Sequence, residues 1–578
     1  MAGTIGRPRI LAAAVLGTLL ATPGRAEWIR ADGTLDWTRY HDSAQSAEIL
    51  RELEARFPDL ARVVTIGKSY QGRDLLVLEL TNRRLKAPEE KPGYYVDGGI
   101  HATELTGSEV VLYLAWHLAT RYGRDAQVTH LLDTRTLYLR PKFNPDGSDY
   151  ALAQPGGLRS TVRPWDEDGD GRLDEDPSED LDGDGAITLM RVAHPQGTHR
   201  ASALGDDPRL LVTRGPAEVG EGWERIVSEG IDNDGDGEFN EDGVGGIDMN
   251  RNFPRTWGLP YLQPGAGPYP LSEPETRATI EFLVAHPNIT GLVHNHTAGG
   301  FLYRLPSTDP PESHEAEDLE LVRVFGEHYT RTTGHPVHDS YEGPGRHRYG
   351  TLISWAYFDY GVLGWVPEHW GGFGRDYDAD GKVTDTERLR WNDEELGGQG
   401  FAAWKPYDHP QLGRVLIGGW RRKFTQTNPP PRMLEAELAL KVPWLVYIAS
   451  VSPLVRIAEA RSVPLGGGLH RIEATVENDG FLPTHVTERA LVARLARPVR
   501  ATLSLRGAER TGGEERVELG HLPGRRSVEA PGSFGGGAPS AHRRQVSWVV
   551  RATGPGTTAE VRVVSEKGGT DVRVLALR

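Results

Sequence analysis

The chain has 578 residues, is 38% hydrophobic and 25% charged, and contains no cysteine. That length is too great for one ordinary domain, and the composition supports packed cores rather than disorder. The lack of thiols excludes disulfides, a cysteine nucleophile and cysteine-bound zinc, so any zinc must be held by His and carboxylate, the ligand set of catalytic sites.

Residues 1–26 read as a secretory signal. "MAGTIGRPRI" carries two arginines and no acid, "LAAAVLGTLLA" is an apolar run, and small residues lead to a cleavage point after Ala26. The run is well short of the roughly 20 residues that span a bilayer. The segment holds three of the 65 basic residues; the 62 that remain face 81 acidic ones, a net charge of −19. A chain this acidic is a poor partner for nucleic acid. The expected location is secreted or periplasmic.

In chain order, 43–58 has helical apolar spacing and ends at Pro58. Residues 61–82 read as two strands about "SYQGRD", 93–99 as a buried strand, 105–123 as a helix and 136–147 as a strand ending in a turn. Residues 148–247 are rich in Asp and Gly and read as an insertion. The pattern resumes at 246–254, with a helix over 272–287, a strand over 288–296, a helix over 350–361, a strand over 362–370 and an apolar helix over 429–450. Strands alternating with helices predict an α/β catalytic domain, a mixed sheet with helices on its faces, over 27–452. From 453 to 578 apolar and polar residues alternate between turns, which predicts a small all-β sandwich.

Three segments gather metal-ligand chemistry. "GGIHATEL" holds His101 and Glu104 just after a strand, "GLVHNHTAGG" ends a strand in His294 and His296, and "VPEHWGG" ends one in Glu368. Strand ends line the ligand crevice of an α/β sheet. Two His and one Glu leave zinc an open position for water, whose pKa falls to about 7, and a further carboxylate can take its proton.

The order HxxE, "NPDG", "DMNRNF", a strand ending in His and a strand ending in Glu resembles the zinc carboxypeptidases of the carboxypeptidase A type over roughly residues 35–450. The resemblance implies one catalytic zinc on His101, Glu104 and His296, with His294 as the competitor two residues back. It implies Glu368 as general base, Arg159 as the arginine that polarises the scissile carbonyl, and Asn250 with Arg251 as the grip on the terminal carboxylate. A planar guanidinium suits that grip. Thr103 stands where the family often has Arg. The mobile tyrosine matches Tyr349, with Tyr341 as the alternative. Ile353, two before Trp355 of "WAY", falls at the pocket floor, which favours apolar or aromatic C-terminal residues.

Four stretches share Asp-x-Asp-x-Asp-Gly: Asp166/Asp168/Asp170, Asp180/Asp182/Asp184, Asp232/Asp234/Asp236 and Asp376/Asp378/Asp380. The last is a complete EF-hand-type loop, with Lys382 at the seventh position and Glu387 at the twelfth. The others have Pro177, Arg191 and Gly243 at the twelfth position, so further acids such as Asp174 or Asp176 would complete them. One or more structural calcium ions are expected.

The leading expectation is an exported zinc metallocarboxypeptidase acting on peptide or protein C-termini. The alternatives are an amidohydrolase on the same site, trimming a peptidoglycan stem or an acylated amine, and a calcium-binding scaffold without catalysis.

Overall fold

The structure, a computed structural model, describes residues 28–577 apart from 168, 203–206, 216, 217, 219, 220, 307, 308, 342–347 and 526–540. The expected signal segment and Asp168 lie outside the described residues.

An eight-stranded mixed sheet forms the centre. Across it the strands run Ala61–Lys68, Asp74–Leu80, Thr136–Arg140, Gly93–Gly98, Ile289–Thr297, Leu363–His369, Phe301–Arg304 and Val337–Asp339. The four from Thr136–Arg140 to Leu363–His369 are mutually parallel. Every residue of Gly93–Gly98 and Ile289–Thr297 is buried, as expected when helices cover both faces of a parallel sheet. On one face Tyr95 and Tyr138 meet Phe282 of helix Pro274–Ala285. On the other, Trp365 meets Phe325 and Trp444 of helices Ala316–Thr333 and Pro431–Ser450.

The Asp/Gly-rich stretch is not only loop. Leu189–Ala193, His199–Ala201, Leu211–Thr213 and Glu224–Ser228 join the hairpin Phe401–His409 and Gly413–Trp420 in an antiparallel six-stranded sheet. Met190, Val415 and Ile417 form its small core. Leu189 and Ser228, at the ends of two of its strands, line a cleft that also holds His101 and Glu104.

Two four-stranded antiparallel sheets make up the C-terminal part: Val455–Gly466, Leu469–Asn478, Arg543–Ala552, Ala508–Gly512; and Arg516–Gly520, Val499–Arg506, Thr558–Ser565, Gly569–Ala576. Trp548, Ile472, Val561 and their neighbours fill the space between them. Leu482 and Val486 belong instead to the main core, so the β part is docked rather than tethered. No helix among the described residues is long and apolar enough to cross a membrane.

Candidate metal and substrate site

The site grows from the C-terminal ends of the parallel strands. Strand Gly93–Gly98 ends in the loop bearing His101, and Glu104 is the N-cap of helix Leu105–Arg121. A close approach fixes this turn. A Cβ on Gly98 would lie 2.1 Å from Gly107 O, and one on Gly107 would lie 2.5 Å from Asn295 O. Only glycine lets the helix start sit directly on the strands. Asn428 pins the loop from the far side, accepting from Thr106 N (2.9 Å) and donating to Thr103 O (2.8 Å).

His101 Nδ1 lies 2.7 Å from Glu104 Oε1, His296 Nδ1 lies 2.8 Å from Glu104 Oε2, and the two Nδ1 atoms are 3.1 Å apart. All three residues are buried. His101 Nε2 faces Asp248 Oδ1 at 3.1 Å; donating there leaves the Nδ1 lone pair turned toward Glu104. Lone pairs facing one another in a buried space fit a cation, and this donor set is that of catalytic zinc. Burial pushes His296 down to about 3, which keeps it in the neutral form that ligates metal. Burial acts to raise Glu104, but His101 and His296 outweigh it and hold its carboxyl well below the usual range. His294 is not part of the cluster: its Nδ1 pairs with Asp97 in the neighbouring strand, and both are fully buried.

Glu368 is the register partner of His296 on the adjacent parallel strand, so both side chains project from one face. They line a cavity of about 360 Å³ with Asn250, Arg251, Arg348 and Ile353. Burial first, then the nearby Glu104 charge, raises the Glu368 carboxyl well above the ordinary range, against the pull of Arg159 and Arg348. Arg159 is strapped in place by its backbone, Ala102 N donating to Arg159 O and Thr103 N to Leu158 O. Thr103 Oγ1 adds a bond to Leu158 O at 2.8 Å. The Arg159 side chain is 55% exposed and reaches Asp248 at 2.9 Å. Arg251 Nη1 donates to Asn250 O at 2.8 Å, and Asn250 Oδ1 accepts from Leu352 N at 3.2 Å. Ile353, on helix Leu352–Phe358, is 3% exposed and faces the same cavity.

Neither Tyr349 nor Tyr341 lines the cavity. The Tyr349 ring packs by Gly258 and its N–H donates to Gln263 Oε1 at 3.3 Å. Tyr303 is the tyrosine that reaches the cavity, and its hydroxyl accepts from Arg348 Nη2 at 3.3 Å. Sequence reasoning missed Asp248, Arg348 and Tyr303. Asp248 was within reach, since it stands in the quoted "DMNRNF" and a ligand His ordinarily has a carboxylate behind it.

A wider cleft of about 1940 Å³ leads from His101, Glu104 and Arg251 along the six-stranded sheet to Asp180 and Arg421. Asp180 and Gly185 of one Asp-Gly loop line it, as do Glu167 and Asn240 of two others, whereas loop 376–387 lies outside it. In each loop, the first Asp accepts the N–H of the glycine five residues on: Asp166 from Gly171 (3.1 Å), Asp180 from Gly185 (2.9 Å), Asp232 from Gly237 (3.1 Å) and Asp376 from Gly381 (2.8 Å). All four glycines have positive φ. Carboxylate oxygens converge in Asp180/Asp182/Asp184, in Asp232/Asp234/Asp236 and in Asp376/Asp378/Glu387. Asp380 accepts from Lys382 N at 2.8 Å and lies outside the last cluster. Glu387 also caps helix Asp385–Leu396.

The profile of the zinc carboxypeptidase family matches residues 47–371, more than half of the chain, and the chain belongs to that family. A domain family of unknown function matches residues 454–576. Carboxypeptidase Z of Mus musculus is 34% identical over 119 residues, 20% of this chain and 18% of that protein. Carboxypeptidase B of Astacus astacus is 33% identical over 127 residues, 22% of this chain and 40% of that one. The chain thus spans well under half the length of these relatives. Among solved structures, thrombin activatable fibrinolysis inhibitor aligns at 17% identity with a TM-score of 0.43, covering 72% of this chain and 74% of that one.

Proposed function

We propose that the protein is an exported zinc-dependent metallocarboxypeptidase that hydrolyses the C-terminal peptide bond of peptides or proteins. The observation that carries this reading is the gathering of His101, Glu104 and His296 beside Glu368 on one cavity wall. Export rests on the signal-like N-terminal segment.

His101, Glu104 and His296 would hold the zinc. When bound, zinc supplies a Lewis acid and makes water a nucleophile near neutral pH. Asp248 holds the His101 ring and its tautomer. Glu368 takes the proton of the attacking water and returns it to the leaving amine. Arg159, exposed at the cleft edge, offers its guanidinium to the carbonyl oxygen as charge develops there. Arg251 and Asn250 bind the terminal carboxylate, and Ile353 forms the apolar part of the pocket for the last side chain. The Asp-Gly loops, with Asp376–Glu387 the most complete, bind calcium as structural ions.

The test is incubation of the purified protein with a pool of defined peptides, read by mass spectrometry with and without 1,10-phenanthroline. Loss of single C-terminal residues, blocked by the chelator, is the expected result. A folded, zinc-loaded protein that cleaves no peptide would redirect the reading to a non-peptide amide.

A further inference from the structure

Two of the Asp-Gly loops are copies of one pattern. "DEDGDGRLDED" over 166–176 and "DNDGDGEFNED" over 232–242 agree at the three Asp, both Gly and the final Glu-Asp. Neither has the closing acid of an EF-hand loop at the twelfth position, and the six-stranded sheet's strands Leu189–Ala193 to Glu224–Ser228 lie between them in the chain. In space they meet. Asp176 accepts from Asn233 N at 3.0 Å, the second residue of the other loop. Asp242 accepts in return from Glu167 N at 3.4 Å, again a second residue. The loops are therefore paired by a local two-fold relation, each final Asp holding the start of its partner.

The pairing puts acids against acids. Glu175 faces Asp242, and Glu241 faces Asp176. Oxygens of Asp170, Glu175 and Asp234, two from the first loop and one from the second, lie within 4.8 Å of one another. Beside them Asp242 is 0% exposed, and its Oδ2, like Glu175 Oε2, is sealed from solvent with no hydrogen-bond donor. A buried carboxylate turned toward other carboxylates is costly unless a cation or a shared proton stands between them.

We propose that loops 166–176 and 232–242 form one calcium module, in which a divalent cation bridges the two loops through Asp170, Glu175 and Asp234, with Asp242 adding a buried oxygen. Hard carboxylate oxygens without nitrogen or sulfur select calcium over zinc. The closing acids are then the tenth residue of the first loop, Glu175, and the eleventh of the second, Asp242. This deepens the reading of the Asp-Gly loops as calcium sites and does not depend on peptidase chemistry. The bridge also has a place in the fold. Gly245 N donates to Asp174 at 3.1 Å and Thr161 N to Ile247 O at 3.0 Å. The cation thus closes the stem from which Asp248, Asn250 and Arg251 emerge.

Equilibrium dialysis with radioactive calcium and thermal melts with and without EGTA, on the full chain, test the module. Glu175→Gln and Asp242→Asn are compared with the wild type and with Glu387→Gln, which affects only the separate loop 376–387. The expected result is at least one calcium ion fewer in Glu175→Gln and Asp242→Asn than in the wild type, with a smaller calcium-dependent rise in melting temperature. Should Asp242→Asn fail to fold, Glu175→Gln, which is only partly buried, carries the test. Wild-type stoichiometry and affinity in Glu175→Gln would overturn the bridge, whatever Glu387→Gln does. A full-length protein whose melting temperature does not respond to calcium would overturn it too.

Discussion

Glu368 and His296 are register partners on adjacent parallel strands. The sheet itself sets their spacing, since directly paired residues project from the same face. A base carried this way needs no loop closure to meet the metal site. Glu368→Gln keeps the volume and the cavity but cannot accept a proton. We expect kcat to fall by about 10²- to 10⁴-fold, with zinc content and melting temperature unchanged. Metal analysis alongside peptide kinetics separates loss of the base from loss of the ion.

The same carboxyl sets a pH limb. Burial and Glu104 raise the Glu368 carboxyl, while Arg159 and Arg348 lower it. A general base works when ionised, so kcat/KM rises with pH through the Glu368 pKa. Removing a positive neighbour raises that pKa further. Arg348→Gln is therefore expected to move the acid limb of the kcat/KM profile to higher pH. An unmoved or lowered limb would assign the limb to another group.

Asp248 stands behind His101 at 3.1 Å and is itself held below the usual carboxylate range: burial opposes this, but His101 and the Arg159 and Arg251 guanidiniums prevail. Asp248→Asn keeps a polar group at the same place but leaves the tautomer undetermined. Loss of such a partner ordinarily costs about 10- to 100-fold in metal affinity. Competition with a zinc chelator measures it directly, apart from turnover.

The parts legible in the sequence are those where local pattern and chemistry coincide. The strands that lead to His101, His296 and Glu368 are short apolar runs whose polar residues fall at or just beyond the C-terminal end, and that pattern survives in one dimension. The six-stranded sheet was not legible. His199–Ala201 and Leu211–Thr213 have three residues each, and Gly413–Trp420 pairs with Leu189–Ala193 from more than two hundred residues away. Runs so short carry no periodicity. Tyr349 rests on the family resemblance and its spacing from "WAY", and spacing does not say which way a loop residue turns. The link between the Asp-Gly loops escaped for a related reason, because Glu175 and Asp242 become partners only after the strands between them fold.

The cavity wall predicts a residue preference. Ile353 is apolar and buried, and the guanidiniums of Arg159, Arg251 and Arg348 share the cavity. A terminal Arg would meet like charge, whereas a terminal Phe would meet Ile353. Release of Phe is expected to exceed release of Arg by about 10-fold or more, roughly 1.4 kcal/mol. Matched peptides differing only in the last residue give the ratio, and Ile353→Asp should move it toward Arg. Faster release of Arg by the wild type would show that Ile353 does not form the pocket floor.

Asp318 is one of the residues that join the C-terminal β part to the catalytic unit. This residue of helix Ala316–Thr333 is 1% exposed, and its carboxylate accepts from Glu488 N at 2.8 Å, Arg489 N at 2.9 Å and the Tyr357 hydroxyl at 3.0 Å. One side chain thus ties the segment carrying Leu482 and Val486 to the helix that carries Ile353. Asp318→Ala leaves two backbone N–H groups and a hydroxyl without their acceptor. A buried donor left unpaired costs about 1–3 kcal/mol, so a loss of at least that size is expected in chemical denaturation. Hydrogen exchange locates it: the amides of Glu488 and Arg489 should lose protection while those of Ile289–Thr297 keep theirs. Equal loss across both sets would mean that Asp318 supports the whole core rather than the docking contact.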